Sequence, residues 1–173
     1  KPFLKKIYDE WHREITEEFI DVQAPILEIG SGAGDLSESL WVITSDLVAY
    51  SNIQIVLNGQ ELPFSENSLK GIVLIGVLHH LSNPWSFFRE ATRCVVPGGK
   101  MFLMEPWVTA WSNLIYRHFH HEPFDPEAKD WEFETTGPLA GANQALSWII
   151  FSRDRERFEK EFPEWRIERI EPR

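Results

Sequence analysis

Apolar residues recur every four positions at the start of the chain: Phe3, Ile7, Trp11, Ile15 and Phe19, with Lys5, Lys6, Glu10, Glu14 and Glu17 between them. That spacing predicts an amphipathic helix over 3–20, laid on a sheet or closing over a ligand. Asp21 to Pro25 breaks the pattern, and short apolar runs replace it. Ile26–Ile29 predicts a first strand. A short helix from Asp35 to about Leu40 follows, its Asp-x-x-Glu start close to a capping box. Trp41–Thr44 predicts strand two, ending at Ser45-Asp46, and Asn52–Leu57 predicts strand three. Leu47–Ser51, the segment between them, is too short for a helical crossover, so a loop is expected to make the connection.

Gly71–Val77 is a continuous apolar run, as expected of a strand buried on both faces. Asn83-Pro84 opens a helix, with proline suited to its first turn. Trp85, Phe88, Ala91 and Val95 keep helical spacing, and Pro97-Gly98-Gly99 closes the helix. Lys100–Glu105 predicts strand five. The order β-α-β-β-β-α-β, with short apolar strands, predicts an open, mostly parallel α/β sheet with helices on both faces.

Residues 107–147 read differently. Seven aromatic residues fall between Trp107 and Phe133, a helix is expected near Thr109–His120, and Pro123, Pro126, Gly137-Pro138 and Gly141 mark irregular backbone. This insertion is a satellite core, a lid over a substrate, or both. Ser152 to about Phe162 predicts a charged helix capped by Ser152, and Trp165–Ile170 a last strand. The expected organisation is one domain with a core at 21–106, the insertion at 107–147 and a helix and strand at 148–173.

Composition narrows the partners. Twenty-seven acidic residues against 17 Lys+Arg give a net charge of −10, which argues against binding a phosphate backbone non-specifically. One cysteine, Cys94, excludes an internal disulfide framework and points to a cytoplasmic, reducing setting. No apolar run is long enough to span a membrane.

The candidate chemistry starts at Ile26–Gly34, Ile-Leu-Glu-Ile-Gly-Ser-Gly-Ala-Gly. An apolar strand running into three alternate glycines reads as strand, tight turn and helix start, where a ligand can approach main-chain N–H groups without meeting a Cβ. Such a turn lies at the carboxyl end of its strand, the ligand edge of open α/β sheets. A dinucleotide fingerprint would have glycine or alanine at position 35, but this chain has Asp35. A carboxylate there repels a pyrophosphate, which disfavours an NAD-dependent oxidoreductase.

Four segments together resemble class I S-adenosylmethionine (SAM)-dependent methyltransferases of the small-molecule "type 11" branch. They are Leu-Glu-Ile-Gly-Ser-Gly-Ala-Gly (27–34), Leu-Pro-Phe-Ser-Glu-Asn-Ser-Leu (62–69), Val-Leu-His-His-Leu (77–81) and Pro-Gly-Gly-Lys-Met (97–101), with Arg89-Glu90-Ala91 and Arg93 fitting the helix before the last. SAM carries no phosphate and a positive sulfonium, so Asp35 is acceptable beside it. The resemblance implies SAM-dependent methyl transfer to a small molecule, which the aromatic segment 107–133 suggests is partly apolar. It also implies a doubly wound sheet in the order 3-2-1-4-5-6, lacking the family's strand seven; an edge left open in this way invites self-association. The alternative is a methyltransferase-like domain that binds SAM or a protein partner without catalysis, motivated by Asn58, the shortened helices and the missing strand.

By the same resemblance, Gly30, Ser31 and Gly32 would lie under the methionine part of SAM. Asp46 would accept hydrogen bonds from both ribose hydroxyls, and Leu47 would pack on the adenine. Asn58, with Gly59 beside it, would face the adenine amino group where the family usually has aspartate, at a cost of about 1 kcal/mol for the lost charge. Gly76 would adjoin the point of methyl transfer. Glu28, inside a strand expected to be buried, either binds backbone N–H groups or reaches the ligand through water.

His79 and His80 follow strand four, where an acceptor should come, and either could be a general base, with His80 preferred. The more ordinary reading is that they shape the loop and pair with backbone. Trp107, Trp111 and His118 are candidates for a substrate pocket. His118, His120, His121 and Glu122 match no zinc spacing, so no metal centre is expected from them.

Overall fold

A computed structural model of the 173-residue chain describes residues 2–19, 25–32, 41–137 and 140–172; of residues 2–5, 8 and 118 it describes the backbone alone. The expected short helix from Asp35 to Leu40 falls outside the described residues.

Five strands form one parallel sheet in the order β3-β2-β1-β4-β5. They are β1 (Ile26–Ile29), β2 (Val42–Asp46), β3 (Ile55–Val56), β4 (Leu69–Ile75) and β5 (Val95–Met104). The central register sets Ile26 against both Val42 and Gly71, so β1 is paired on both edges. Its four residues are all buried, as its unbroken apolar character requires.

The two-residue period of each strand sorts its side chains to two faces. Ile26, Val42 and Val73 share one face, covered by Ile15 and Phe19 of helix α1 (Pro2–Phe19). Leu27, Ile29, Ile72 and Leu74 share the other, covered by Phe87, Phe88 and Ala91 of helix α2 (Pro84–Cys94) and by aromatic residues from later in the chain. The sheet is therefore doubly wound. Helix α2 starts as its sequence suggests: Pro84 takes the first turn, and the Asn83 side chain accepts from the Ser86 N–H at 2.9 Å.

The Leu62–Phe64 loop is held to α2 by one ion pair. Arg93 donates to both carboxylate oxygens of Glu90 at 3.0 and 2.7 Å and to the carbonyls of Phe64 and Leu62 at 2.6 and 2.9 Å. Glu90 in turn accepts from the Leu62 N–H at 2.8 Å. The Arg93 hydrogen bonds hold the Glu90 carboxyl below its usual range. The segments 62–69 and 89–93 are thus one physical unit, a loop and the helix that clamps it.

The insertion contributes both core and surface. Helix α3 (Ala110–Phe119) opens with a capping box, Thr109 Oγ1 accepting from Ser112 N at 3.0 Å and Ser112 Oγ from Thr109 N at 2.7 Å. Further on, fully buried Trp131 stacks on Trp85 of α2 at 4.1 Å, with the Arg157 guanidinium 4.7 Å above the Trp85 ring. Segment 124–133 is therefore continuous with the main core rather than a separate one.

Four expectations need correction. Asn52–Leu57 forms a strand only at Ile55–Val56, paired with Ser45–Asp46; before it the Thr44 hydroxyl takes over, donating to the Asn52 carbonyl at 2.8 Å and accepting from the Gln54 N–H at 3.2 Å. The segment Pro97–Gly99 does not merely end a helix: β5 already begins at Val95, with a register shift between Leu69 and Gly71 of β4 that absorbs the Pro-Gly-Gly turn. Ser152 does not cap a helix. It lies in a π-helical stretch (Ile149–Arg153) between α4 (Leu146–Trp148) and α5 (Arg155–Glu161). Finally, Trp165–Ile170 is not a sixth strand. Trp165 instead packs on the core and donates from Nε1 to Thr92 Oγ1 of α2 at 2.8 Å, which draws the segment onto the helix layer instead of the β5 edge.

Candidate functional site

In a parallel sheet all strands end at one edge, and the residues singled out in the sequence gather there. After β1 the chain turns through Gly30 (φ +71°) and Gly32 (φ +54°). The Ser31 N–H donates to the Ser45 carbonyl at 2.9 Å, and Ser31 Oγ accepts from the Ser45 N–H at 3.2 Å. Ser45 Oγ donates to the Glu28 carbonyl at 2.7 Å. These bonds lock the glycine turn to the end of β2, where Asp46 stands. Its Oδ2 accepts from the Gly32 N–H at 3.0 Å and its Oδ1 from the Val48 N–H at 2.9 Å. Asn52 Nδ2 completes the cradle by donating to the Gly32 carbonyl at 3.1 Å.

The second half of the site follows β4. Gly76 (φ +66°) turns the chain into a 3-10 turn, Leu78–His80. Glu105, immediately after β5, reaches across beneath this turn. Its Oε1 accepts from the N–H groups of Val77 and Leu78 at 2.7 and 2.8 Å, and its Oε2 lies 2.7 Å from His79 Nδ1. The Glu105 side chain is only 3% exposed and that of His79 5%, so this carboxylate is satisfied almost wholly by the turn it supports.

The insertion closes over the same turn. Asn143 N–H donates to the His79 carbonyl at 2.8 Å, and His80 Nδ1 lies 3.3 Å from the Gly141 carbonyl. Gln144 Nε2 hydrogen-bonds Glu122, whose carboxylate faces both histidine rings, 3.8 Å from His79 Nε2 and 3.9 Å from His80 Nε2. Burial, aided by the Glu122 charge, pushes the nearby Tyr116 hydroxyl above its ordinary value.

Glycine turn, strand-end aspartate and second glycine stand at the carboxyl ends of β1, β2 and β4, and the sequence that carries them can be matched. Residues 27–103 match the methyltransferase domain family. The motif resemblance is thereby borne out over the segment that builds the sheet and the site. The fold agrees. The chain is similar to YcgJ from Bacillus subtilis (TM-score 0.55, 16% identity, 87% of this chain and 68% of that one). It is similar also to a SAM-dependent methyltransferase from Methanosarcina mazei (0.53, 20%, 79% and 80%) and to a Pyrococcus horikoshii protein (0.52, 16%, 68% and 64%). The chain spans less than two thirds of the length of several structures it matches. No curated protein sequence matches. The fold is the Rossmann-like α/β fold of methyltransferases, with the family's 3-2-1-4-5 strand order.

Within the segment that matches the methyltransferase domain family, Gly30, Ser31, Gly32 and Asp46 form one hydrogen-bonded cradle. Leu47 is exposed beside it. Asn58 stands in an exposed turn, its Oδ1 accepting from Gln60 N at 3.0 Å and Gln60 Nε2 at 3.3 Å. Gly59 packs under that turn, where an added Cβ would come within 3.2 Å of Ile29 Cγ2. Trp107 is half-buried against the main core. Trp111, in contrast, is 71% exposed on α3, so its ring is not enclosed in a pocket. The His118 side chain lies outside what is described. Sequence reading missed Glu105, Asn143 and Gln144. Glu105 alone left a trace, as a charged residue ending an apolar strand.

Proposed function

We propose that this chain is a SAM-dependent methyltransferase acting on a small, partly apolar molecule. The observation that carries the reading is the bond between Gly32 N–H and Asp46 Oδ2, which holds the Asp46 carboxylate, the candidate diol acceptor, beside a glycine turn at the carboxyl edge. The fit to the cofactor is favourable. Among the described residues, an added Cβ on Gly32 would meet nothing within 4 Å, which is the open main chain a ligand there needs. A carboxylate has about four lone-pair sites, and Asp46 uses two on backbone N–H groups, which leaves acceptors for two vicinal hydroxyls. Gly30, Ser31 and Gly32 would hold the methionine part, Leu47 and the Asn58–Gly59 turn the adenine, and Gly76 would leave room at the transferred methyl.

The cofactor supplies an electrophilic methyl on a sulfonium. The chain's part is to align the acceptor, a contribution from proximity that can be large, and to exclude water. His80, before His79, would take a proton from an acceptor through its Nε2, its Nδ1 lying 3.3 Å from the Gly141 carbonyl. The exposed aromatic face of α3, Trp111 with Phe119, supports an apolar acceptor. The net charge of −10 supports a partner other than nucleic acid, and buried, free Cys94 suits a cytoplasmic setting. No described helix is long and apolar enough to cross a membrane.

A second reading, a domain that binds SAM without transferring methyl groups, is favoured by the Asn58 Oδ1 atom being engaged by Gln60. Calorimetric titration with SAM and with its demethylated product tests the cofactor. Binding is expected with both, weakened at least tenfold by Asp46→Ala; no heat with either on folded protein sinks the proposal. Transfer of a radiolabelled methyl group to any small acceptor then rejects the second reading.

A further inference from the structure

We infer that His79, His80 and Glu122 form a binding site for a divalent first-row transition-metal ion. The ligand atoms of the three residues all lie within 4.8 Å of one another. At 3.8 and 3.9 Å, the Glu122 oxygens are too far from His79 Nε2 and His80 Nε2 to be hydrogen-bonded. Three polar atoms thus converge on a common space rather than on each other. Around a tetrahedral ion with bonds of about 2.0–2.1 Å, ligands sit about 3.3 Å apart. To reach that spacing the Glu122 oxygens need to close on the two Nε2 atoms by about half an ångström from 3.8 and 3.9 Å.

The surroundings orient each ligand for this role. Glu105 Oε2 accepts from His79 Nδ1 at 2.7 Å, which in the neutral ring fixes the proton on Nδ1 and leaves the Nε2 lone pair facing the cluster. The Gly141 carbonyl, 3.3 Å from His80 Nδ1, selects the same tautomer in the second ring. Gln144 Nε2 anchors the Glu122 carboxylate. A carboxylate or carbonyl behind each ligating imidazole is the usual support of a metal-bound histidine. Two imidazoles and a carboxylate suit zinc, cobalt, nickel or iron better than magnesium or calcium. The side chains of His80 and Glu122 are each 25% exposed, so the open side of the ion would accept water or a small-molecule oxygen.

The absence of a zinc spacing among residues 118–122 does not bear on this cluster, because its ligands come from two segments distant in sequence. Nor does the site rest on the proposed methyl transfer. It lies on the same sheet edge, where an ion held by His80 Nε2 would take the lone pair that atom would otherwise use as a base, but metal binding is read without cofactor.

The test uses the full chain, stripped with a chelator and titrated with zinc chloride by calorimetry and with cobalt chloride by visible absorption. One equivalent of each ion should bind, and cobalt should give the ligand-field bands of a four- or five-coordinate site. Glu122→Gln and His80→Ala should each weaken zinc binding at least tenfold, and Glu105→Gln about 10- to 100-fold through His79. His12→Ala, on α1, should leave it unchanged. Circular dichroism checks that each variant is folded, and the wild-type titration is decisive even if one is not. No binding by folded wild-type chain overturns the proposal, as does zinc binding that persists unchanged in the His80→Ala, Glu122→Gln double variant. Failure of SAM binding with zinc binding intact would count against the methyltransferase reading alone, and the converse against the metal site alone.

Discussion

His79 Nδ1 and Glu105 Oε2 lie 2.7 Å apart, joining the turn after β4 to the residue that ends β5. The same carboxylate caps the N–H groups of Val77 and Leu78, so one buried side chain shapes the backbone on which both histidines sit. Glu105→Gln keeps the size of the side chain but turns one acceptor oxygen into a donor. Hydrogen bonds to a charged partner contribute about 1.5–3 kcal/mol each, and the amide retains part of them. Urea unfolding should show a loss of about 2–3 kcal/mol. Nitrogen-15 spectra should show His79 shifting from the Nδ1–H to the Nε2–H tautomer. An unchanged tautomer would remove Glu105 from the orienting role.

The cradle and the second half of the site meet at Gly30 and Val77. A Cβ on Gly30 would stand 2.5 Å from Val77 Cγ2, in a backbone conformation (φ +71°) that L side chains rarely adopt. Gly98 has a similar φ of +77°, but a Cβ there would meet nothing within 4 Å among the described residues. Gly98→Ala should therefore cost about 1 kcal/mol, the backbone penalty alone. Gly30→Ala should cost about 2–4 kcal/mol, since the Val77 contact adds an overpacking cost. Chemical denaturation of the two variants measures the difference; equal losses would mean that the turn relaxes away from Val77.

Acid should weaken the C-terminal helical layer at one identifiable pair. Arg153 donates to both oxygens of Asp154 at 2.8 and 2.9 Å, and Trp131 Nε1 donates to Oδ2 at 2.9 Å. The Arg153 hydrogen bonds, with Trp131 adding to them against the opposing effect of burial, hold the Asp154 carboxyl below its ordinary value. A carboxyl lowered in the folded state adds stability above its unfolded-state value of about 3.9 and loses it as pH falls through the folded one. Asp154→Asn should thus be less stable than wild type by about 1–2 kcal/mol at pH 7. The gap should close below about pH 4. Unfolding curves for both proteins across that range check the sign, and a gap that widens in acid would contradict it.

The hydrophobic pattern alone determined most of the scaffold. The four-residue recurrence through Ile15 and Phe19 put α1 on the sheet, and unbroken apolar runs located β1 and β4. Asn83-Pro84 and Thr109 marked two helix starts, because caps act within four residues. The glycine turn and Asp46 were legible for the same reason: strand ends and turns are set by local backbone preferences. Where a residue's fate depended on a partner far along the chain, the pattern was silent or misleading. Trp165 alternates like a strand residue, yet a hydrogen bond to Thr92 holds it on the helix layer. Glu105 looked like the end of a strand, and Glu122 like part of a surface histidine cluster. Only the packed structure brought the one beneath His79 and the other to face it, because the pairing of buried polar groups is decided by which elements become neighbours, and a local period carries no record of that.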